Sequence, residues 1–94
     1  MQVRWTPPAA QDLEEITLYI QRDSESAAQA VAKTLFDAAN SLDLLPSRGR
    51  VGRIQGSREI VVPGLPYIIA YRVQVTAIQI LHIYHGARNW PVVQ

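Results

Sequence analysis

YIIAYRVQVTAIQILHIYH, residues 67 to 85, holds the densest apolar sequence of the chain. Gln74 to Thr76 divides it into YIIAYRV (67–73) and TAIQILHIYH (76–85). Both runs are rich in β-branched and aromatic residues, the composition of antiparallel strands joined by a tight turn. Alternation sorts their side chains. Tyr67, Ile69, Tyr71 and Val73 share one face of the first run, and Ile68, Ala70 and Arg72 share the other. In the second run Leu81, Ile83 and His85 oppose Ile80, His82 and Tyr84. The polar residues Arg72, His82 and Tyr84 predict a second face that is only partly covered and presents a concave basic surface.

Upstream, REIVV (58–62) reads as a third strand, set off by PGLP (63–66). SRGRVGRIQGS (47–57) is turn-rich and basic, with room for a short strand around Val51 to Ile54. At the other end VRW (3–5) is a short strand, after which Thr6 offers an N-cap and Pro7 a first helical residue. Ala9, Leu13, Ile16 and Ile20 form a helical stripe that runs to about Arg22, with Asp12, Glu14 and Glu15 favouring the positive end of the helix. RDSES (22–26) interrupts it. Ser26 with Gln29 makes a capping box and Ser24 is an alternative cap. Ala27, Val31, Leu35, Ala38, Ala39, Leu42 and Leu45 then trace a second stripe, which Pro46 ends. So short a connection makes the two helices an antiparallel hairpin. The expected architecture is α+β: an N-terminal strand, the helical hairpin, then a three- to four-stranded antiparallel sheet covered by the hairpin on one face.

Composition narrows the function classes. The 94 residues make one domain, residues 1–94, able to bury roughly 60 to 70% of the surface its unfolded form exposes. The N-terminus has no signal-peptide core, and no stretch approaches the ~20 apolar residues of a membrane span, so a cytoplasmic protein with no membrane partner is expected. The absence of cysteine removes disulfides, thiolate nucleophiles and cysteine zinc sites. With His82 and His85 as the only imidazoles, neither a metal nor a cofactor is expected. Charge is segregated along the chain. Residues 1–47 set Arg4, Arg22 and Lys33 against Asp12, Glu14, Glu15, Asp23, Glu25, Asp37 and Asp43, a net of −4. Residues 48–94 set Arg48, Arg50, Arg53, Arg58, Arg72 and Arg88 against Glu59 alone, a net of +5. A basic half suits an anionic partner, nucleic acid or an acidic protein segment, and equally a solvated face. That all six cations are arginines favours recognition, because the planar guanidinium pairs bidentately with phosphate and carboxylate.

Arg50, Arg53, Arg58, Arg72, Arg88 and Trp90 are the candidate contacts for a target or partner. Arg58 and Arg72 would clamp phosphate or carboxylate, or else pair with Glu59 or an acidic helix residue. Arg88 and Trp90, in HGARNWP (85–91), combine a guanidinium with an aromatic ring suited to base stacking or to a protein hot spot. His85 is either a general acid or base or a strand-end residue bonded to a neighbouring loop. His82 reads as a solvent-side or core-edge residue, Trp5 as core, and the acids of the first helix as a solvated face.

The early strand and helical hairpin, Pro46 followed by GRVGR (49–53), then REIVV, YIIAYRV and ILHIYHGARNWP (80–91), together resemble the RelE/ParE superfamily of toxins from bacterial type II toxin-antitoxin modules. The resemblance spans essentially the whole chain. It implies a small toxin neutralised by a cognate antitoxin whose extended or helical tail wraps it. RelE-like members enter the ribosomal A site and cleave mRNA, and ParE-like members poison DNA gyrase. RelE nucleases typically use a lysine-rich face and often a tyrosine in a helix after the last strand. Here the sole lysine is Lys33, on the second helix, and eight residues follow Gly86. The expectation is therefore a ParE-like inhibitor of DNA gyrase without catalytic chemistry of its own. The alternative is a ribosome-dependent mRNA endonuclease using Arg58, His85 and Arg88, and a third reading is a degenerate relative that binds a partner or nucleic acid. The antitoxin tail is expected to carry apolar anchors flanked by acids.

Overall fold

The structure, a computed structural model, describes residues 1–86. Strand β1 (Gln2–Trp5) leads into helices α1 (Pro7–Gln21) and α2 (Glu25–Asn40). Two 3-10 turns, Ser41–Asp43 and Pro46–Arg48, connect to β2 (Arg50–Val51), β3 (Arg58–Val61), β4 (Tyr67–Val73) and β5 (Ala77–His85). The sheet has five strands in the order β1-β5-β4-β3-β2. β2 to β5 form the antiparallel part, while β1 lies parallel to β5, with Gln2 opposite Ala77 and Trp5 opposite Ile80. That parallel edge is what distinguishes the sheet from an all-antiparallel one. One side chain fastens it: the Thr6 hydroxyl donates to the Ile80 carbonyl at 2.7 Å while its oxygen accepts from the Ala9 amide at 3.4 Å. One side chain thus caps α1 and pins the helix start to β5.

Ser24, not Ser26, caps α2, its hydroxyl accepting from the Ala27 amide at 3.1 Å. The helix starts accordingly at Glu25, which sets its phase. Ala28, Leu35, Ala39 and Leu42 are buried, whereas Ala27 is exposed. α2 stops at Asn40 rather than continuing to Pro46, and Leu45 is 56% exposed instead of extending the stripe. The chain here tightens into two 3-10 turns, the second of which begins at Pro46. In α1, Pro7, Pro8, Ala9 and Ala10 fill the first turn, so no acid stands there. The expected dipole role of Asp12, Glu14 and Glu15 gives way to other contacts.

The main core lies between the hairpin and one sheet face. Leu35, Leu42, Ile69, Tyr71, Ile78 and Ile80 are fully buried in it, with Val3, Trp5, Leu13 and Ile16 packed at its margin. A β-bulge shapes this face. Ala70 pairs with His82 but Tyr71 pairs with Ile80, leaving Leu81 as an extra residue in β5. Strict alternation puts Ile80 with His82 and Tyr84. The bulge instead returns Ile78 and Ile80 to the helix side with Tyr71, and Ile83 and His85 beyond it with Ile69 and Tyr67.

Candidate functional site

The opposite, outer face carries a smaller core of Ile68, Ala70 and Tyr84, covered by Ile54 and Leu81. Instead of a strand reaching Ile54, β2 ends at Val51 and residues 52–57 fold as a loop over this face. The Gly52 amide donates to the Ser57 carbonyl at 2.9 Å, and the Ser57 amide and hydroxyl both donate to the Ile54 carbonyl, at 3.0 and 2.6 Å. Tyr84 is consequently 4% exposed and does not contribute to an open concave surface. Burial pushes its phenol well above the ordinary value, reinforced by the charges of Glu59 and Asp12 and opposed by Arg53.

Glu59 is the anchor of that loop. It sits on β3 opposite Ala70 and Arg50, its side chain 3% exposed. Its Oε2 accepts from both the Arg53 amide at 3.0 Å and the Arg53 guanidinium at 2.9 Å, and Oε1 meets Arg50 at 3.5 Å. Burial alone would raise this carboxyl, but those donors and the Arg53 charge hold it below its ordinary value. Arg53 also lies over the Tyr84 ring, 5.1 Å from its centroid, and Tyr84 stacks on His82 at 5.7 Å. The line continues to α1, where Asp12 Oδ2 lies 2.9 Å from His82 Nδ1 and accepts from the Ile83 amide at 3.0 Å. Loop, strand and helix are thereby joined across the outer face.

Arg58 and Arg72 hold backbone rather than carboxylates. The Arg58 guanidinium donates to the carbonyls of Gly49 at 2.7 Å and Ser47 at 3.4 Å, and Arg72 donates to the Gln55 carbonyl at 3.1 Å. Glu59 pairs with Arg53 and Arg50 instead of with Arg58 or Arg72, because Arg58 faces the hairpin side opposite Tyr71 and Arg72 lies two pairs further along β4. Arg50 keeps its side chain 60% exposed. Arg88 and Trp90 lie outside the described residues.

His85 lines a cleft of about 270 Å³ between α1 and the ends of β4 and β5, with Asp12, Glu15, Tyr19 and Tyr67. Its ring meets Tyr67 edge-on at 5.4 Å. From the register, with Arg58 opposite Tyr71 and His85 opposite Tyr67 across β4, the Arg58 and His85 backbones stand on the order of 16 Å apart. The structure therefore gathers Arg50 and Arg53 around Glu59 and keeps Arg58 and His85 separate. Asp12 and Glu59 were not among the expected site residues. Glu59, the one acid among the arginines of the basic half, is legible in hindsight; Asp12 is not, since its partners lie 70 and 71 residues away. Among the described residues no cluster of three or more His, Asp or Glu could hold a metal ion, and no helix is long and apolar enough to cross a membrane.

A helical hairpin laid on one face of a small mixed sheet, with arginines around the other, defines a toxin domain of the RelE/ParE type. The chain belongs to the family described as the ParE toxin of the type II toxin-antitoxin system parDE, whose model matches residues 3–90. It is 40% identical over 91 residues to a putative toxin, Y4kP, of Sinorhizobium fredii, covering 97% of this chain and 94% of that one. It is 42% identical over 87 residues to Toxin RelE2 of Caulobacter vibrioides, covering 93% and 97% of the two chains. Among solved structures, a chain of the chromosomal ParDE system from P. aeruginosa superposes with a TM-score of 0.82 at 26% identity, over 90% of this chain and 95% of that one. The protein is a toxin of a type II toxin-antitoxin system.

Proposed function

We propose that this toxin inhibits DNA gyrase, without catalytic chemistry of its own, and is held inactive in the cytoplasm by a cognate antitoxin. The observation that carries the reading is the separation of Arg58 from His85. RNA cleavage needs a proton acceptor beside positive charge that stabilises the phosphorane-like transition state. His85 instead shares its cleft with Asp12 and Glu15, and Arg58 is spent on the Gly49 carbonyl at the far end of the sheet. The family match and the likeness to a ParDE system favour the same branch.

The kinship with Toxin RelE2 keeps a second reading, a ribosome-dependent mRNA endonuclease using Arg58, His85 and Arg88. The two are separated by assaying the purified protein for inhibition of gyrase supercoiling and for mRNA cleavage in a translation extract. Inhibition without cleavage is expected, unchanged in His85→Ala. Cleavage that disappears in a folded His85→Ala variant overturns the gyrase reading, and neither activity leaves a module that only binds a partner. For the antitoxin, Ile54 covers the apolar cluster of the outer face and leaves Val61 as an isolated exposed side chain there. The open apolar groove of Trp5, Leu13, Leu18 and Phe36 on the hairpin supports anchoring there, with the tail's acids meeting Arg50, Arg53, Arg58, Arg72 and Arg88, and Trp90 as a further contact. Affinity for the antitoxin then falls as salt rises.

A further inference from the structure

Parallel pairing of β1 with β5 has an electrostatic result. Arg4 lies opposite Gln79, and Gln79 opposite Arg72, so the three side chains form one row across β1, β5 and β4. The row is on the outer face, since Val3 and Trp5, the alternating neighbours of Arg4, pack into the hairpin-side core. Arg4 belongs to the acidic half of the chain by sequence and to the basic face by structure. Two strand spacings separate Arg4 from Arg72, about 10 Å, and Arg50 follows about 12 Å further along the same face. Gln2 lies beside Arg4, its amide oxygen 3.3 Å from the guanidinium. Glu59, the acid of β2 to β5, is buried beneath Arg50 and Arg53. Arg4 is exposed and Gln79 and Arg72 are half-buried, so the part of the row that reaches the surface is cationic and amide in character.

We infer that this row, Arg4, Gln79 and Arg72 with Arg50 beyond, seats the phosphate backbone of duplex DNA. Arginine and glutamine are both phosphate donors, and arginines whose backbones stand about 10 Å apart have the side-chain length to reach phosphates on either side of a groove roughly 12 Å wide. An amphipathic acidic peptide needs apolar pockets for its anchors, and here Ile68, Ala70 and Tyr84 are already enclosed under Ile54. Single-stranded RNA is held by bases stacked on exposed aromatic rings, and the row contains none. The inference is independent of the gyrase reading, because it concerns direct binding of DNA by the toxin.

The test is fluorescence anisotropy of a labelled duplex of about 20 base pairs with the purified full chain, from about 50 to 200 mM salt. Three phosphate contacts give a slope of log K against log salt near −2.7, about a 40-fold loss of affinity over that range. Arg4→Gln and Arg72→Gln each flatten the slope by about 0.9. Arg4 is the cleaner probe, since among the described residues its guanidinium bonds only the neighbouring Gln2 side chain. Arg22→Gln, on α1's C-cap beside Tyr19, leaves both affinity and slope unchanged. The inference is overturned if the duplex is not bound at the lowest salt, if Arg4→Gln behaves like Arg22→Gln, or if poly-glutamate or single-stranded RNA binds more tightly than the duplex.

Discussion

Glu59 shows how one acid fixes several cations. It accepts a backbone amide and two guanidiniums, and without it the 52–57 loop loses the bonds that both the amide and the guanidinium of Arg53 make to β3. Glu59→Gln keeps the shape and removes the charge. Since the arginines stay in reach of solvent, the cost expected is that of charge-assisted hydrogen bonds, about 1.5 to 3 kcal/mol, read from the midpoint of urea unfolding. The pH dependence has a definite sign. A carboxyl held below its ordinary value of 4.5 in the folded state stabilises the fold above that value, and the stabilisation drains away as pH falls through the folded pKa. The unfolding midpoints of the parent and Glu59→Gln should therefore be furthest apart near neutral pH and converge in acid. Convergence at neutral pH instead would mean that Glu59 is not the tether. Asp12 plays a comparable part at the far end of the Arg53–Tyr84–His82 line, where its carboxylate satisfies the Ile83 amide on the stretch of β5 that β1 does not reach.

The turn between α2 and β2 depends on Tyr71. Fully buried on β4, its hydroxyl donates to the Pro46 carbonyl at 2.7 Å and accepts from the Gly49 amide at 2.9 Å, while Arg58 holds the Gly49 carbonyl from the other side. A side chain at position 49 would place Cβ 2.6 Å from that hydroxyl and 2.9 Å from the Glu59 carbonyl, so only glycine fits. Tyr71→Phe leaves two backbone groups without their partner and should destabilise by about 1 to 3 kcal/mol in chemical denaturation. An unchanged midpoint would show that water replaces the hydroxyl. At this scale the sequence is informative wherever the signal is local. Alternation and turn residues locate β3, β4 and β5, and Thr6 and Pro7 locate the start of α1. The bulge at Leu81 is invisible, because nothing in AIQILHIYH distinguishes an inserted residue from a paired one until β4 imposes its register. The end of α2 was misread because the stripe continues to Leu45 after the helix has given way to a 3-10 turn.

Across the whole molecule, β1 supplies the lateral boundary of the sheet. Removing residues 1–5 uncovers the β5 edge, a long apolar strand with unpaired backbone groups, and also takes Trp5 from the core margin. The truncated chain should unfold at lower denaturant and self-associate, which size-exclusion chromatography with light scattering would show. A stable monomer would indicate that β1 merely decorates the sheet. Parallel pairing was unreadable for the same reason that Arg4 was counted with the acidic half: it joins positions at opposite ends of the chain. The basic character of the candidate site was legible, its closure by Glu59 and the loop was not, and the family was legible because order and spacing of elements survive where individual contacts do not.

The link from the Thr6 hydroxyl to the Ile80 carbonyl spans 74 residues. The first strand made is thus among the last to be placed. While the chain grows on the ribosome, β1 has no strand to pair with until β5 emerges, so the finished sheet, and with it the outer face, waits for β5. For a toxin this is a form of timing: the cell that makes it meets the complete surface only after β5 has folded back against β1.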